Sequence, residues 1–170
     1  MSKIVLLSAA IVLLASPAAA QNGGGATAVM MDQSGTNLGT LTLVEMEGSV
    51  HITGELTGVP NGEHGFHIHE TGTCDATAKF ESAGAHYEPG SKKHGKENPE
   101  GPHAGDLMNV IADDDGKATV DEHNANVTVA ELLDGDGSAL VLHADSDDYK
   151  TDPSGNSGDR FACGVIEGTP

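Results

Sequence analysis

The sequence predicts an all-β domain, an antiparallel barrel or sandwich built from short strands. Apolar and polar residues alternate with a period of two, as where Val50, Ile52 and Leu56 alternate with polar neighbours. Gly-containing turns separate many such runs, and no stretch combines a period of 3.6 residues with helix caps. Regularly spaced short strands are typical of closed antiparallel folds. We expect them over 27–32, 38–46, 50–56, 65–69, 107–112, 117–121, 126–132, 139–143 and 161–167.

The composition excludes several classes of protein. The chain has 170 residues, enough for one domain, and contains 23 Gly, 3% aromatic residues and no Trp. This Gly content, with only 20% charged residues, argues against a coiled coil or a helical bundle. The net charge of −18 argues against a nucleic-acid partner and against stable association with an anionic membrane.

The N-terminal residues predict export. Residues 1–20 read as a signal peptide, with Lys3, an apolar run over 4–15 that is too short to span a bilayer, and small residues before Gln21. An N-terminal membrane anchor is the alternative. Residues 21–26 are expected to form a flexible leader, and 27–170 the folded domain. The two cysteines of an exported chain can pair and remain paired.

Two long stretches interrupt the pattern of strands, at 70–106 and 144–159. Long loops within a compact domain are usually functional or disordered. The first contains His86, His94 and His103, which favours a functional loop. The second is polar and rich in aspartate.

The histidines predict a metal site. His67 and His69 are two residues apart in a strand, so they project from the same face, roughly 7 Å apart by the strand rise. His86, His94, His103 and Asp106 lie in the first loop, where three imidazoles and a carboxylate suit a tetrahedral zinc ion. His143 ends an apolar run in the manner of a ligand at the end of a strand. A solvated loop with surface histidines is the alternative. The remaining histidines, which we interpret as surface or structural, are His51, His64 and His123.

Two segments resemble the copper/zinc superoxide dismutase family: 65–70, which reads GFHIHE, and 164–166, which reads GVI after Arg160 and Cys163. The resemblance extends over about residues 27–167. It implies an eight-stranded Greek-key barrel or sandwich with two long functional loops. It also implies an antioxidant enzyme that disproportionates superoxide to dioxygen and hydrogen peroxide with one copper and one zinc ion per subunit.

The resemblance also implies roles for individual residues. Copper would be held by His67, His69, His86 and His143, and zinc by His86, His94, His103 and Asp106. His86 would bridge the metals and carry a proton during turnover. Asp147 would hydrogen-bond to His67 and His94, Arg160 would hold the anion beside copper, and Cys74 would pair with Cys163. Secreted bacterial members resemble the chain around Lys79, which implies the periplasm. Some members form homodimers and others are monomers.

Two other classes of metal-binding protein are alternatives to the superoxide dismutase. A copper-storage or chaperone domain would lack a copper ligand or the arginine, and neither is missing. A zinc hydrolase would need an open zinc position, whereas the zinc set has four protein ligands. For the dismutase, we expect Arg160 and the metals to focus the anionic substrate, because the acidic residues lie far from the channel in sequence. Lys150 is the only basic residue of 145–159, and the sequence leaves open whether Lys79 or Lys150 guides the substrate.

Overall fold

Nine antiparallel strands dominate residues 24–170, the part of the chain that the computed structural model describes. The strands are β1 (Gly25–Asp32), β2 (Asn37–Met46), β3 (Ser49–Thr57), β4 (Gly62–His64), β5 (Phe66–His69), β6 (Val110–Ala112), β7 (Lys117–Asn124), β8 (Ala139–His143) and β9 (Arg160–Gly168). One short helix, α1 (Val129–Leu132), and two 3₁₀ turns, Ala76–Ala78 and Glu81–Ala83, complete the regular structure. The prediction of an all-β fold is therefore confirmed. The predicted signal peptide, residues 1–20, lies outside the described residues. The expected leader of 21–26 extends too far, because Gly25 and Ala26 already belong to β1 and Ala26 is fully buried between β2 and β9.

The strands form one sheet in the order β4-β6-β7-β3-β2-β1-β9-β8-β5. Its two edge strands, β4 and β5, are consecutive in the chain, so the sheet curls into a nearly closed barrel. Closure leaves few strand edges exposed to other chains.

The resemblance leads us to expect eight strands, and the ninth arises because Gly65 divides one strand into β4 and β5. The residues before Gly65 pair with β6 and those after it pair with β8. Gly65 N–H donates to the carbonyl of Asp145 at 2.8 Å. A Cβ at this position would lie 2.7 Å from that of Ser157, so glycine allows the close approach.

Aliphatic side chains fill the barrel, in keeping with the scarcity of aromatic residues. Alternate residues of each strand point inward, and Leu41, Ile52, Phe66 and Leu140 are fully buried. Strands β5 and β8 differ from the others because every one of their residues is buried. The long loops therefore cover the outer faces of these two strands.

The expectation of a strand over 126–132 was wrong, because this segment contains α1. The Thr128 side chain accepts a hydrogen bond from Glu131 N–H, and the Glu131 carboxylate accepts one from Thr128 N–H. This reciprocal pair is a capping box. It stabilises the first turn, and Val129 and Leu132 are buried. The alternating apolar residues of this segment therefore belong to a single helical turn and not to a strand.

The first long loop, 70–106, carries a small hydrophobic cluster of its own. Phe80 and Ala83 pack against Ala139, Val141 and Cys163 on the outer side of β8 and β9. A disulfide joins Cys74 in the loop to Cys163 in β9, across 89 residues of sequence. The predicted pairing is thus present, and it attaches the loop to the barrel next to this cluster. In residues 24–170 no helix is both long and apolar enough to cross a membrane.

We predict that removing the disulfide destabilises the fold substantially. A crosslink across 89 residues restricts the unfolded chain, so the Cys74→Ala/Cys163→Ala variant should lose about 4–5 kcal/mol of unfolding free energy by the chain-entropy model. Urea denaturation of metal-stripped protein measures this. Reductant should lower the midpoint for the wild type and leave the double variant unchanged. An equal midpoint for oxidised wild type and variant would contradict the prediction.

Candidate metal centre

The free edge of β5 positions the site by binding the first long loop. Ile68 N–H donates to the Gly105 carbonyl at 2.9 Å, and Tyr87 N–H donates to the Ile68 carbonyl at 2.8 Å. Isolated bridges thereby set His67 beside Asp106 and His69 beside His86. Because Ile68 points into the barrel, His67 and His69 both face the loop, as the strand spacing predicts.

Four buried histidines form the first ligand set: His67, His69, His86 and His143. One ligand nitrogen from each lies within 4.8 Å of the others. Four ring nitrogens of this set are buried without a hydrogen-bond partner: His67 Nδ1, His69 Nε2, His86 Nε2 and His143 Nε2. An unpaired buried polar atom costs about 1–3 kcal/mol, so four of them together call for a common ligand. Imidazole nitrogens suit copper, and this set fits a copper ion.

Hydrogen bonds to the opposite ring nitrogens orient these histidines. His69 Nδ1 donates to the Gly84 carbonyl at 3.0 Å and His143 Nδ1 to the Gly158 carbonyl at 3.3 Å. Because Nδ1 of each ring carries the hydrogen, the lone pair of the ring is on Nε2. Partners of this kind hold the tautomer and orientation of metal-binding histidines.

The second ligand set surrounds the Asp106 carboxylate. Asp106 Oδ1 lies 3.0 Å from His86 Nδ1, 3.0 Å from His94 Nδ1 and 3.4 Å from His103 Nδ1. Ligand atoms of His67, His86, His94 and Asp106 also lie within 4.8 Å of one another. However, His67 Nε2 already donates to Asp147. The three nitrogens and one oxygen around Asp106 fit a zinc ion.

His86 belongs to both sets. Its Nε2 is one of the four unpartnered nitrogens, whereas its Nδ1 faces Asp106 and lies 3.4 Å from His103 Nδ1. The structure thus places one imidazole with a different nitrogen toward each ligand set.

Asp147 connects the two ligand sets from the second long loop, 144–159. Its Oδ2 accepts a hydrogen bond from His67 Nε2 at 2.9 Å, and its Oδ1 accepts one from His94 Nε2 at 3.0 Å. Asn109 holds Asp147 in turn, through hydrogen bonds to its main-chain N–H and carbonyl. Asn109 is not among the residues that the sequence predicts for the site. No motif around it signals a role, since its contact with Asp147 spans 38 residues.

Burial dominates the pKa values of the histidines in the first ligand set, whereas hydrogen bonds dominate the pKa of Asp106 in the second. Burial lowers the pKa of His86 to about 4 and holds the pKa of His69 and His143 well below 6.5. These rings are therefore neutral and able to bind metal. Burial also disfavours the charged Asp106, but hydrogen bonds from His103, His86 and His94 outweigh it and lower the pKa of that carboxyl. Asp106 is ionised.

A cavity of about 250 Å³ leads to the first ligand set, and its lining includes His69, His86, His143 and Arg160. Arg160 Nη1 donates to the Phe80 carbonyl at 2.7 Å, and Nη2 donates to the Gly84 carbonyl at 2.6 Å. The guanidinium is thereby held at the cavity wall.

Two carboxylates also line this cavity, contrary to the expectation that acidic residues lie far from it. Glu81 Oε2 is 3.6 Å from Arg160 Nη2, and Asp159 precedes Arg160 in the chain. Glu81 and Arg160 are 79 residues apart in sequence, and they meet because the first loop folds over β9. Arg160 is therefore not the only charged side chain along the route to the site.

Comparison with known proteins agrees with this geometry. The family described as copper/zinc superoxide dismutase (SODC) matches residues 37–166. Superoxide dismutase [Cu-Zn] 1 of Aquifex aeolicus is 44% identical over 146 residues, covering 82% of this chain and 86% of that protein. The crystal structure of a SOD-like protein from Bacillus subtilis is 37% identical, with a TM-score of 0.75, and covers 82% and 96% of the two chains.

Another solved structure, the Cu/Zn superoxide dismutase from Brucella abortus, is 32% identical, with a TM-score of 0.69. The alignment covers 84% of this chain and 99% of the Brucella chain. Sequence and fold thus agree over most of the domain with proteins of one family, and the two ligand sets fit the two metals of its name. The chain therefore belongs to the copper/zinc superoxide dismutase family and is an oxidoreductase that disproportionates superoxide.

Proposed function

We propose that this chain performs superoxide disproportionation at a copper–zinc centre bridged by His86. Copper would be held by His67, His69, His86 and His143, and zinc by His86, His94, His103 and Asp106. The observation that carries this proposal is the orientation of His86, with Nε2 among the four unpartnered nitrogens and Nδ1 beside Asp106. When bound, copper supplies a one-electron redox couple, and zinc supplies a charge without redox chemistry.

His103, rather than His67, completes the proposed zinc set. A single ring nitrogen of His67 cannot serve both Asp147 and a zinc ion, and its other nitrogen, Nδ1, belongs with the copper ligands. His103 Nδ1 lies 3.4 Å from both His86 Nδ1 and Asp106 Oδ1. Its main-chain N–H also donates to Asp106 Oδ2 at 3.0 Å, which holds the two residues together.

Two superoxide ions and two protons yield one dioxygen and one hydrogen peroxide, so the site must deliver protons. His86 lines the substrate cavity, and we place one proton of each cycle at its Nε2, which would carry that proton only while it is not a copper ligand. Burial disfavours the protonated ring and lowers the pKa of His86 to about 4. A proton at Nε2 is therefore readily passed to the reduced product, while contacts at Nδ1 keep the ring in place.

Arg160 is the group that binds the anion in this proposal. Two main-chain carbonyls fix its guanidinium, and its remaining N–H groups can donate charge-assisted hydrogen bonds to superoxide. Glu81 partly offsets this charge, since its carboxylate is 3.6 Å away and largely exposed. Asp147 acts through its hydrogen bonds to His67 and His94 and is a positioning residue.

The domain is proposed to act after export, in the periplasm. Lys3 and the apolar run over 4–15 support a signal peptide of residues 1–20, followed by a short leader and a folded domain that begins with β1 at Gly25. The disulfide is stable in an oxidising compartment. Mass spectrometry of protein from the periplasmic fraction tests the cleavage before Gln21, and static light scattering distinguishes a homodimer from a monomer.

We predict that the two metals can be removed separately. His94→Ala should lose zinc preferentially and His143→Ala should lose copper, because each contributes to one ligand set only. Metal content by mass spectrometry and superoxide consumption are measured on the same samples, with exposed Thr119→Ala, which lies outside every proposed ligand set, as the control. His143→Ala should lose nearly all activity. Loss of the same single metal from both variants would refute the two-site assignment, and wild type containing both metals without activity would refute catalysis.

Zinc affinity should rise with pH between 7 and 9. Burial opposes protonation of His94, but hydrogen bonds to Asp106 and Asp147 outweigh it and raise the pKa of His94 to about 9 in the protein without metal. Zinc must therefore displace a proton at neutral pH, and affinity should increase by up to about 10-fold per pH unit, levelling off above pH 9. Competition with a chelator of known pH dependence measures this. A flat profile would contradict the prediction.

The charged side chains along the cavity should affect the second-order rate of superoxide consumption, so the variants should differ in a defined order. At low ionic strength we expect Glu81→Gln to exceed wild type by a few-fold, and Arg160→Glu to fall below it by on the order of 10-fold or more, with Arg160→Ala between wild type and Arg160→Glu. Salt should bring the four rates together. Second-order rates from pulse radiolysis test this on samples of equal copper content. An unimpaired Arg160→Glu would contradict the role of Arg160.

A further inference from the structure

A second cluster of histidines lies on the outer face of the barrel, on β3 and β7. His51 and His123 are directly opposite each other in the antiparallel register of these strands. Asp121 lies two residues before His123 and so shares its face. Neither strand carries a proposed ligand of the buried centre, so this cluster is a separate feature of the molecule.

The three side chains are close enough to share an ion. The rings of His51 and His123 stack with centroids 4.0 Å apart and planes inclined by 8°. His51 Nε2 lies 2.6 Å from Asp121 Oδ1, and one ligand atom from each residue lies within 4.8 Å of the others. Ligand atoms lie about 2.0–2.2 Å from zinc, so two ligands of one ion are roughly 3–4 Å apart. Small rotations of these side chains therefore suffice.

The charges around the cluster favour a cation. A hydrogen bond from His51 lowers the pKa of the Asp121 carboxyl, so this side chain is an anion at neutral pH. Val44, opposite His51, and Thr53, opposite Asp121, are uncharged. No cationic side chain occupies these paired positions, and the chain as a whole is strongly acidic.

We propose that His51, Asp121 and His123 form a surface site for a divalent transition-metal ion of the zinc and copper class. Two imidazoles and a carboxylate match the ligands that these ions accept. Three protein ligands leave one position for water or an external ligand. The stacked rings must rotate apart so that a nitrogen of each faces the ion, and the exposure of Asp121 and His123 leaves room for this rotation.

Zinc binding to untagged protein already loaded with copper and zinc tests this site. Isothermal titration with Zn²⁺ should show one additional ion per chain, and metal analysis after dialysis should count it. His51→Ala and His123→Ala should each weaken this binding by at least about 10-fold, and Asp121→Asn should weaken it as well. Thr119→Ala, two residues before Asp121 on the same face of β7, is the matched control and should bind as wild type does.

Two outcomes would overturn the proposal. The wild type would bind no additional zinc, or both histidine variants would retain it with unchanged affinity. Because the buried centre is filled before titration, the additional ion does not report on that centre, and the histidine variants test whether it binds at the surface cluster. Unchanged dismutase activity and circular dichroism in His51→Ala and His123→Ala are expected, since these residues lie outside the catalytic centre, and they exclude unfolding as the cause of lost binding.

Discussion

The free edge of β5 forms its main-chain hydrogen bonds with the first long loop instead of with another strand. Ile68, whose side chain lies in the core, both donates to Gly105 and accepts from Tyr87. This pairing gives a loop the positional precision of a sheet, so that His86 and Asp106 stand beside His67 and His69. The disulfide holds the same loop at a second place. The metal centre depends on both attachments, because four of its seven proposed ligands, His86, His94, His103 and Asp106, belong to the loop.

Burying polar groups at the centre costs free energy, and metal binding offsets this cost. Six histidines and two aspartates are buried within it, and hydrogen bonds satisfy only part of their capacity. The four unpartnered nitrogens on the proposed copper side remain the largest local deficit. Binding of a metal to these atoms favours the folded chain over the unfolded one, so metal binding and stability are thermodynamically linked.

The two sides of the centre differ in the charge state of their buried groups. On the proposed zinc side, the Asp106 and Asp147 carboxylates accept hydrogen bonds from the surrounding rings, which favours charged partners. On the copper side, burial dominates, and the rings remain neutral. His86 lies between the two environments. Its low pKa follows first from burial, with the hydrogen bond to Asp106 opposing the shift.

The sequence by itself determined the all-β class, the shared face of His67 and His69, and the candidate residues for both ligand sets, the latter through a family resemblance. These features follow from local periodicity or from motifs of a few residues. The tertiary structure decided the break at Gly65, the placement of Glu81 beside Arg160, the support of Asp147 by Asn109 and the stacking of His51 on His123. Each of these depends on strand register or loop docking between distant segments. Local patterns do not contain that information, because such contacts arise only once the barrel has closed.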